Sequence, residues 1–353
     1  MIRFAWGLAA AALGLIVLAT GLEAGGYDAP TALGALWSGA FGSWYAFTSA
    51  TLVRSVPLIL IGLGIAIAFR AGSFNIGAEG QFYAGAIAAT WVGLHLAGRP
   101  AGVAITALLL ASALAGIAWV ALPVWLKLRF GVIEVISTLL LNFVAESLVS
   151  LLVQGPLQES ARTYPQSDAI VAAARLPLLG NTRLHLGFVL ACGAAAVLWY
   201  LFSQTVWGFR LRAVGMGPRA AEVSGRINSE RVAAVALVCS GAMAGLAGGV
   251  EVSGVSYALF QNLSPGYGFT GIAVALLGGL HPAGVLLSGI FIGALEAGAG
   301  AMQREAGVPS VAVYVVEAVI IIVALLATAP KGGWVNARVI RRIRPAVIRG
   351  ARG

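Results

Sequence analysis

Apolar runs of about twenty residues recur from one end of this chain to the other, parted by short polar joints. A bilayer core about 30 Å thick takes about 20 apolar residues per helical crossing. The spacing therefore predicts an all-α polytopic membrane protein. The runs fall at roughly 4–22, 51–69, 80–98, 102–122, 132–153, 185–203, 232–252, 268–280, 282–302 and 310–329, which gives about ten transmembrane helices. Run 268–280 is short for a crossing, and Gly278, Gly279, His281 and Pro282 part it from the next, so a broken helix is expected near 278–282. Run 4–22 has one basic residue ahead of a short apolar core, as a signal peptide does. With no small-x-small cleavage site after it, it reads as a retained first helix. The chain, 1–353, reads as a single transmembrane domain.

Charged residues make up 10% of the chain, against about 25% in soluble domains. So few charges cannot cover a water-facing surface, which excludes a soluble enzyme and a nucleic-acid-binding domain. The net charge of +9 resides in the joints and the tail, a membrane-orientation pattern. With the N-terminus inside, sixteen of the 22 Lys and Arg residues fall on the cytoplasmic side, seven of them between Lys331 and Arg352. Arg54, Arg99, Arg162, Arg175, Arg183 and Arg304 fall outside. The balance favours an N-in/C-in arrangement with a periplasmic loop at 154–183, a cytoplasmic loop at 204–231 and a basic cytoplasmic tail at 330–353. Trp37, Trp44 and Tyr45 mark 31–48 as an interfacial segment.

The chain carries no engine of its own. A phosphate-binding loop needs Lys in a Gly-x-x-x-x-Gly-Lys-Ser/Thr frame, and neither Lys127 nor Lys331 stands in one. Cys192 and Cys239 lie inside apolar runs, and His95, His185 and His281 make no metal-ligand spacing, so no metal or other cofactor is implied. His95 and His185 read as interfacial and His281 as a turn cap.

Three polar constellations stand out. In Phe69–Gln81, Gly72, Gly77 and Gly80 punctuate a stretch holding Asn75, Glu79 and Gln81. A Gly-rich helix break frees backbone groups that protein or water must satisfy. These side chains are expected to line a translocation path, the bland alternative being a packed turn. In the fifth run, Glu134, Thr138, Asn142, Glu146 and Ser150 recur every four residues. Each step advances about 40° around a helix, so they form one slanting ridge, with Asn142 and Glu146 the deeper members. A pathway role and interhelical glue between subunits both fit. In 204–231, Pro218 suits a helix start and Gly225 its end. So short a helix is unstable alone and is expected to dock on a partner through Ala220 and Ala221, flanked by arginines. Glu251, Glu296 and Glu317 are further acids within runs. With Glu79, Glu146 and Glu251 as proton or ion sites, a secondary carrier is the alternative function.

Phe74-Asn-Ile-Gly-Ala-Glu-Gly-Gln81, Glu134-Val-Ile-Ser-Thr-Leu-Leu-Leu-Asn142, Arg212-Ala-Val-Gly215 with Pro218-Arg-Ala-Ala221, and Ile272-Ala-Val-Ala-Leu-Leu-Gly278 together resemble bacterial ABC importer permeases. The closest group is the nucleoside and simple-sugar type within the branched-chain amino acid and ribose permease superfamily. The resemblance covers about Gly42 to Lys331. It implies a multi-pass permease of the bacterial inner membrane that translocates a nucleoside or simple sugar. The implied partners are ATP-binding subunits, a second paralogous permease or a second copy of the chain, and a periplasmic substrate-binding lipoprotein. It implies a coupling helix at Pro218–Gly225, with Arg212, Gly215, Pro218, Arg219, Ala220, Ala221, Glu222 and Gly225 facing the ATPases. Asn75, Glu79, Gln81, Thr138, Asn142 and Glu146 would form the path. The chain departs from the family pattern in having Gly217 before the proline and Arg226 inserted before Ile227.

Overall fold

The computed structural model describes residues 19–225 and 227–309, with Ile16, Tyr314, Val315, Ala318, Val319 and Ile322 beyond them. Nearly all of runs 4–22 and 310–329, with Glu317, Arg226 and the tail, lie outside the described residues. Among these residues the chain is helical, and its only strand-like features are two isolated bridges, Gln166 with Phe260 and Leu178 with His185.

In chain order the helices are α1 (Ala29–Phe41), α2 (Trp44–Arg70), α3 (Ala78–His95), α4 (Ala101–Phe130), α5 (Glu134–Val153) and α6 (Gly187–Gln204). There follow α7 (Val206–Met216), α8 (Pro218–Gly225), α9 (Ser229–Ser256), α10 (Tyr267–Leu277) and α11 (Pro282–Glu305). Six of these are long and apolar enough to cross a membrane: α2, α4, α5, α6, α9 and α11. The sequence count of about ten also included α3, α10 and the two outermost runs. α3 carries Glu79, Gln81 and His95, and α10 has 11 residues, so neither qualifies on length and hydropathy together.

Start and stop signals are local. The Asn228 carboxamide accepts from the Arg231 amide to open α9. Gly131, at φ 67°, closes α4 in the left-handed conformation. Across that turn Lys127 meets Glu134 at 2.9 Å. The joint after α2 is a true break: α2 stops at Arg70, residues 71–77 are non-helical, and α3 starts at Ala78. Gly278–His281 likewise separate α10 from α11. A third irregular stretch went unread in the sequence. α9 ends in a π-helical turn at Val252–Ser256, and 257–266 then run without helix.

α2 is the central helix, with every residue from Val56 to Ala68 buried. It is wrapped by α9, α11 and α10, while α9 also packs on α3 and α4. Glycine sets these approaches. A Cβ on Gly85 of α3 would strike the Gly245 carbonyl, and one on Gly116 of α4 would strike that of Gly241. Backbone contact of this kind is how helices associate in lipid, where burying apolar area brings no gain. Segment 31–48 is more than interfacial. α1 buries Ala29, Ala32, Ala35 and Ala40 and packs on α11, while Trp37, Trp44 and Tyr45 stay exposed.

Overpacking a close backbone crossing costs about 1–3 kcal/mol. Gly116→Leu is therefore expected to lower the melting temperature in detergent, whereas Gly193→Ala on α6, where a Cβ meets nothing within 4 Å, should hold or raise it, since Ala favours a helix interior over Gly. Equal melting of the two variants would contradict this packing.

Candidate functional site

Two helices begin inside the bundle. Asn142 stands eight residues into α5, about 12 Å from its start at 1.5 Å per residue. There its Oδ1 accepts from the Gly80 amide at 2.8 Å, and its Nδ2 donates to the Ile76 carbonyl at 2.9 Å. The break thus carries the chain from Arg70 back into the interior before α3 starts. Asn75 and Gln81 exchange amide bonds of 2.8 and 3.0 Å, and Asn75 also bonds Ser240 of α9 and the Gly77 amide. The first amides of any helix lack intrahelical partners, and here these carboxamides serve them in place of water.

α10 starts in the same region. Ser264 Oγ accepts from the amides of Gly266 and Tyr267, and the Gly268 amide donates to Glu79 Oε2 at 2.6 Å. Glu79 lies in the first turn of α3, so one buried carboxylate sits at the N-termini of two helices, where helix dipoles favour negative charge. Gly268 has no room for a side chain, because a Cβ would run into the Glu79 backbone.

Beside this junction opens a cleft of about 380 Å³, lined by Tyr83, Glu146, Ser147, Val149, Ser150, Gln261 and Asn262. Gln261 Nε2 donates to Ser150 Oγ at 2.6 Å, and Asn262 takes a left-handed φ of 58°. Glu146 is exposed and, among the described residues, makes no hydrogen bond or ion pair. Of the six expected path residues, Asn75, Glu79, Gln81, Thr138 and Asn142 are buried around the break, with hydrogen bonds to neighbouring protein groups. Only Glu146 faces open space. Sequence reasoning missed Tyr83, Ser147, Gln261, Asn262, Ser264 and Gly268. The turn-forming string Asn262-Leu-Ser-Pro-Gly266 was the available signal for Asn262 and Ser264.

At the opposite face of the break, α7 and α8 form an arm. A Cβ on Gly215 would strike the Arg70 carbonyl. The Arg70 guanidinium lies 4.4 Å over the Phe202 ring, and its Nε donates to the Leu280 carbonyl at 2.8 Å. Arg212 donates to the Phe202 carbonyl. Within Pro218–Gly225, Glu222 accepts from Ser229 at the start of α9. Ala221 is buried, so the expected Ala220–Ala221 docking face is split. Arg219, Ala220 and Val223 of α8 are exposed, Val223 at 87%, and so is Met216 at the end of α7, at 85%.

The 154–183 loop is a folded cap. Ser167 and Ile170 amides donate to the carbonyls of Leu259 and Tyr257, which ties it to the 257–266 stretch. Glu159 accepts from the Thr163 and Tyr164 amides and from Gln166, and Asp168 from Ser160. These bonds hold both carboxyls below their ordinary pKa, the Gln166 side chain being the main cause for Glu159 and the Ser160 side chain for Asp168. His185, read as interfacial, is buried inside the protein against Gly187 and Gly254. His95 is exposed, and His281 holds the N-cap position of α11 without a side-chain cap bond. Glu251 shares a cavity of about 170 Å³ with Arg54 and Arg183.

The family described as branched-chain amino acid transport system / permease component matches residues 47–325. The guanosine ABC transporter permease protein NupP of Bacillus subtilis is 39% identical over 319 residues, covering 87% of this chain and 91% of that protein. The glucose ABC transporter permease protein TsgB13 of Haloferax volcanii is 36% identical over 282 residues, covering 77% and 74%. A second Bacillus subtilis protein, guanosine ABC transporter permease protein NupQ, is 30% identical over 252 residues, covering 69% and 78%. No solved structure matches the chain.

Two outcomes test this geometry. Glu79→Leu leaves the Gly268 amide without its acceptor and should destabilise the protein by about 1–3 kcal/mol, with Glu79→Gln milder because an acceptor oxygen remains; indistinguishable melting of the two would remove the junction role. For the cap, a depressed carboxyl pKa contributes stability that is complete above the unfolded value, near pH 4, and is lost as pH falls through the folded value. Protection of the Ser160, Thr163 and Tyr164 amides in hydrogen exchange, corrected for intrinsic rates, should hold at neutral pH and fall below about pH 4. Protection independent of pH would contradict it.

Proposed function

The chain belongs to the permease family of branched-chain amino acid transport systems, and we propose that it is one permease half of an ABC importer carrying a nucleoside or simple sugar across the bacterial inner membrane. Support comes from the extent of the family match and from relatives named for guanosine and glucose. That one bacterium has two guanosine permeases similar to this chain favours a pore built from two paralogous permeases, rather than two copies of one. In this reading ATP is hydrolysed on separate subunits, and a periplasmic lipoprotein delivers the solute to the cap at 154–183. The termini lie in the cytoplasm, and the receptor also docks near 31–48.

The observation that carries the mechanism is the arm. Met216 and Val223 are almost fully exposed on two short helices whose other side is locked to the bundle. An apolar face of this kind on a short helix suits a groove on a partner. A push on it reaches the end of α2 through Gly215 and Arg70, α6 through Phe202, and the α10–α11 turn through Leu280. α10 leads from that turn to Glu79 and the cleft. Nucleotide-driven closure of the ATPases would thereby shift the helix ends that frame the path, with Arg212, Gly215, Pro218, Arg219, Ala220, Glu222 and Gly225 shaping the arm. Glu146 meets the solute, while Asn75, Glu79, Gln81, Thr138 and Asn142 hold the path open from behind. In the secondary-carrier reading Glu251 would be a free proton site, and its shared cavity with Arg54 and Arg183 weighs against that.

Val223→Asp and Met216→Asp should each weaken capture of the ATPase subunits about tenfold without lowering the melting temperature, since both positions are exposed. Replacing 217–227 by a Gly-Ser linker should abolish solute-stimulated ATP hydrolysis. Undiminished capture and hydrolysis would sink the arm as the point of coupling.

A further inference from the structure

α7 is pinned at both ends to crossing helices. It follows α6 after one residue, Thr205, whose hydroxyl accepts from the Gly208 amide at 3.3 Å. A Cβ on Gly208 would strike the carbonyls of Leu201 and Phe202 near the end of α6, and one on Gly215 would strike the Arg70 carbonyl at the end of α2. Those two ends stand at one level, since the Arg70 guanidinium lies over the Phe202 ring. The 18 residues of α6 span about 27 Å at 1.5 Å per residue, close to the thickness of a bilayer core. Trp199 and Tyr200, exposed in its last two turns, are residues of the headgroup level. α7 therefore runs along the membrane surface, from the end of one crossing helix to the end of another.

Its faces follow from the helical repeat. Gly208 and Arg212, about 40° apart, look toward the end of α6, where Arg212 donates to the Phe202 carbonyl. Leu211 and Val214 are buried, and α7 packs on α9 and α2. Phe209 stands about 160° from Leu211 and about 100° from both Gly208 and Arg210. It thus points sideways, away from the bundle, and is 56% exposed. Arg210, also exposed, lies about 160° from Gly208, on the side turned from the membrane core. An aromatic ring directed sideways at headgroup level, with a guanidinium beside it, is the pattern of an in-plane membrane helix. Its apolar side chains enter the boundary of headgroups and acyl chains while its arginines meet phosphates. A protein seated beneath the membrane would meet the Arg210 side and α8 instead. We propose that the first turn of α7 is seated on phospholipids of the cytoplasmic leaflet, with Phe209 in lipid and Arg210 on a phosphate. The arm is then carried by a helix that rides on the bilayer. The inference goes beyond the importer reading and needs only that α2 and α6 cross the membrane with these ends in the cytoplasm.

The test uses the complete transporter in vesicles of phosphatidylethanolamine and phosphatidylglycerol, with Phe209→benzoylphenylalanine in this chain. Irradiation joins that side chain to whatever it touches, and the mass of the intact chain identifies the adduct. A phospholipid adduct is expected at 209, whereas Val223→benzoylphenylalanine should join an ATPase subunit. Both positions are exposed, so neither substitution should lower the melting temperature. Phosphatidylglycerol should be enriched in the adduct about fivefold over its share of the vesicle, the factor for about 1 kcal/mol per basic residue at an anionic surface. Arg210→Gln should lower that enrichment. An adduct at 209 with an ATPase, with the second permease or with another part of this chain would overturn the lipid assignment and leave the importer reading standing. So would the absence of any adduct, the result for a side chain in water. A lipid adduct whose composition Arg210→Gln leaves unchanged would overturn the phosphate contact. A lipid adduct at 209 with no ATPase adduct at 223 would uphold the lipid seat and count against the arm as the ATPase contact.

Discussion

A helix that starts inside a bilayer leaves its first amide protons far from water, and this molecule is arranged around meeting that demand twice. α3 and α10 both begin at the level of Glu79. Asn142 serves the Gly80 amide, Asn75 serves Gly77, Ser264 serves Gly266 and Tyr267, and Glu79 serves Gly268. Because the acceptors come from two helices and two irregular stretches, the junction fixes α3, α5 and α10 relative to one another. Glycines at 77, 80 and 268 let the neighbouring elements close on it.

That junction stands between the cap and the arm. On one side the cap at 154–183 is bonded to 257–260, a few residues ahead of Gln261 and Asn262 in the cleft. On the other, the α7–α8 arm reaches the end of α2 and the turn after α10. α10 lies between an irregular stretch and a turn, tied by Ser264 and Glu79 at its start, by Ser288 Oγ to the Val274 carbonyl at 2.8 Å in its middle, and by the Arg70 contact beyond its end. Nature's use of a charge at that anchor has a physical logic, since a carboxylate holds the N-termini of two helices at once.

Much of this was legible in the residues. Gly72, Gly77 and Gly80 around Asn75 and Gln81 announced a helix break, and Pro218 with Gly225 bracketed α8 to the residue, because both signals are local. The direction of the break was not legible. That 71–77 turn inward depends on Asn142, sixty-six residues away from Ile76, and on Ser240 in α9. The four-residue ridge on α5 was seen, yet its members divide, Thr138 and Asn142 packing against α3 while Glu146 opens to the cleft, because a slanting ridge winds from a packed face to a free one. The 257–266 stretch falls between the runs 232–252 and 268–280 and carried no reading of its own. Its structure comes from Tyr83, Glu79 and the cap, all distant in sequence.

The central claim is that this chain is a conduit whose work is done by another protein's ATP hydrolysis. Vesicles reconstituted with the purified chain alone, and others with the full assembly plus receptor, can be loaded with ATP or with a proton gradient while labelled guanosine is followed. Accumulation only in vesicles that hold the full assembly and ATP is the expected result. Accumulation by the chain alone, driven by the proton gradient with no nucleotide, would contradict it.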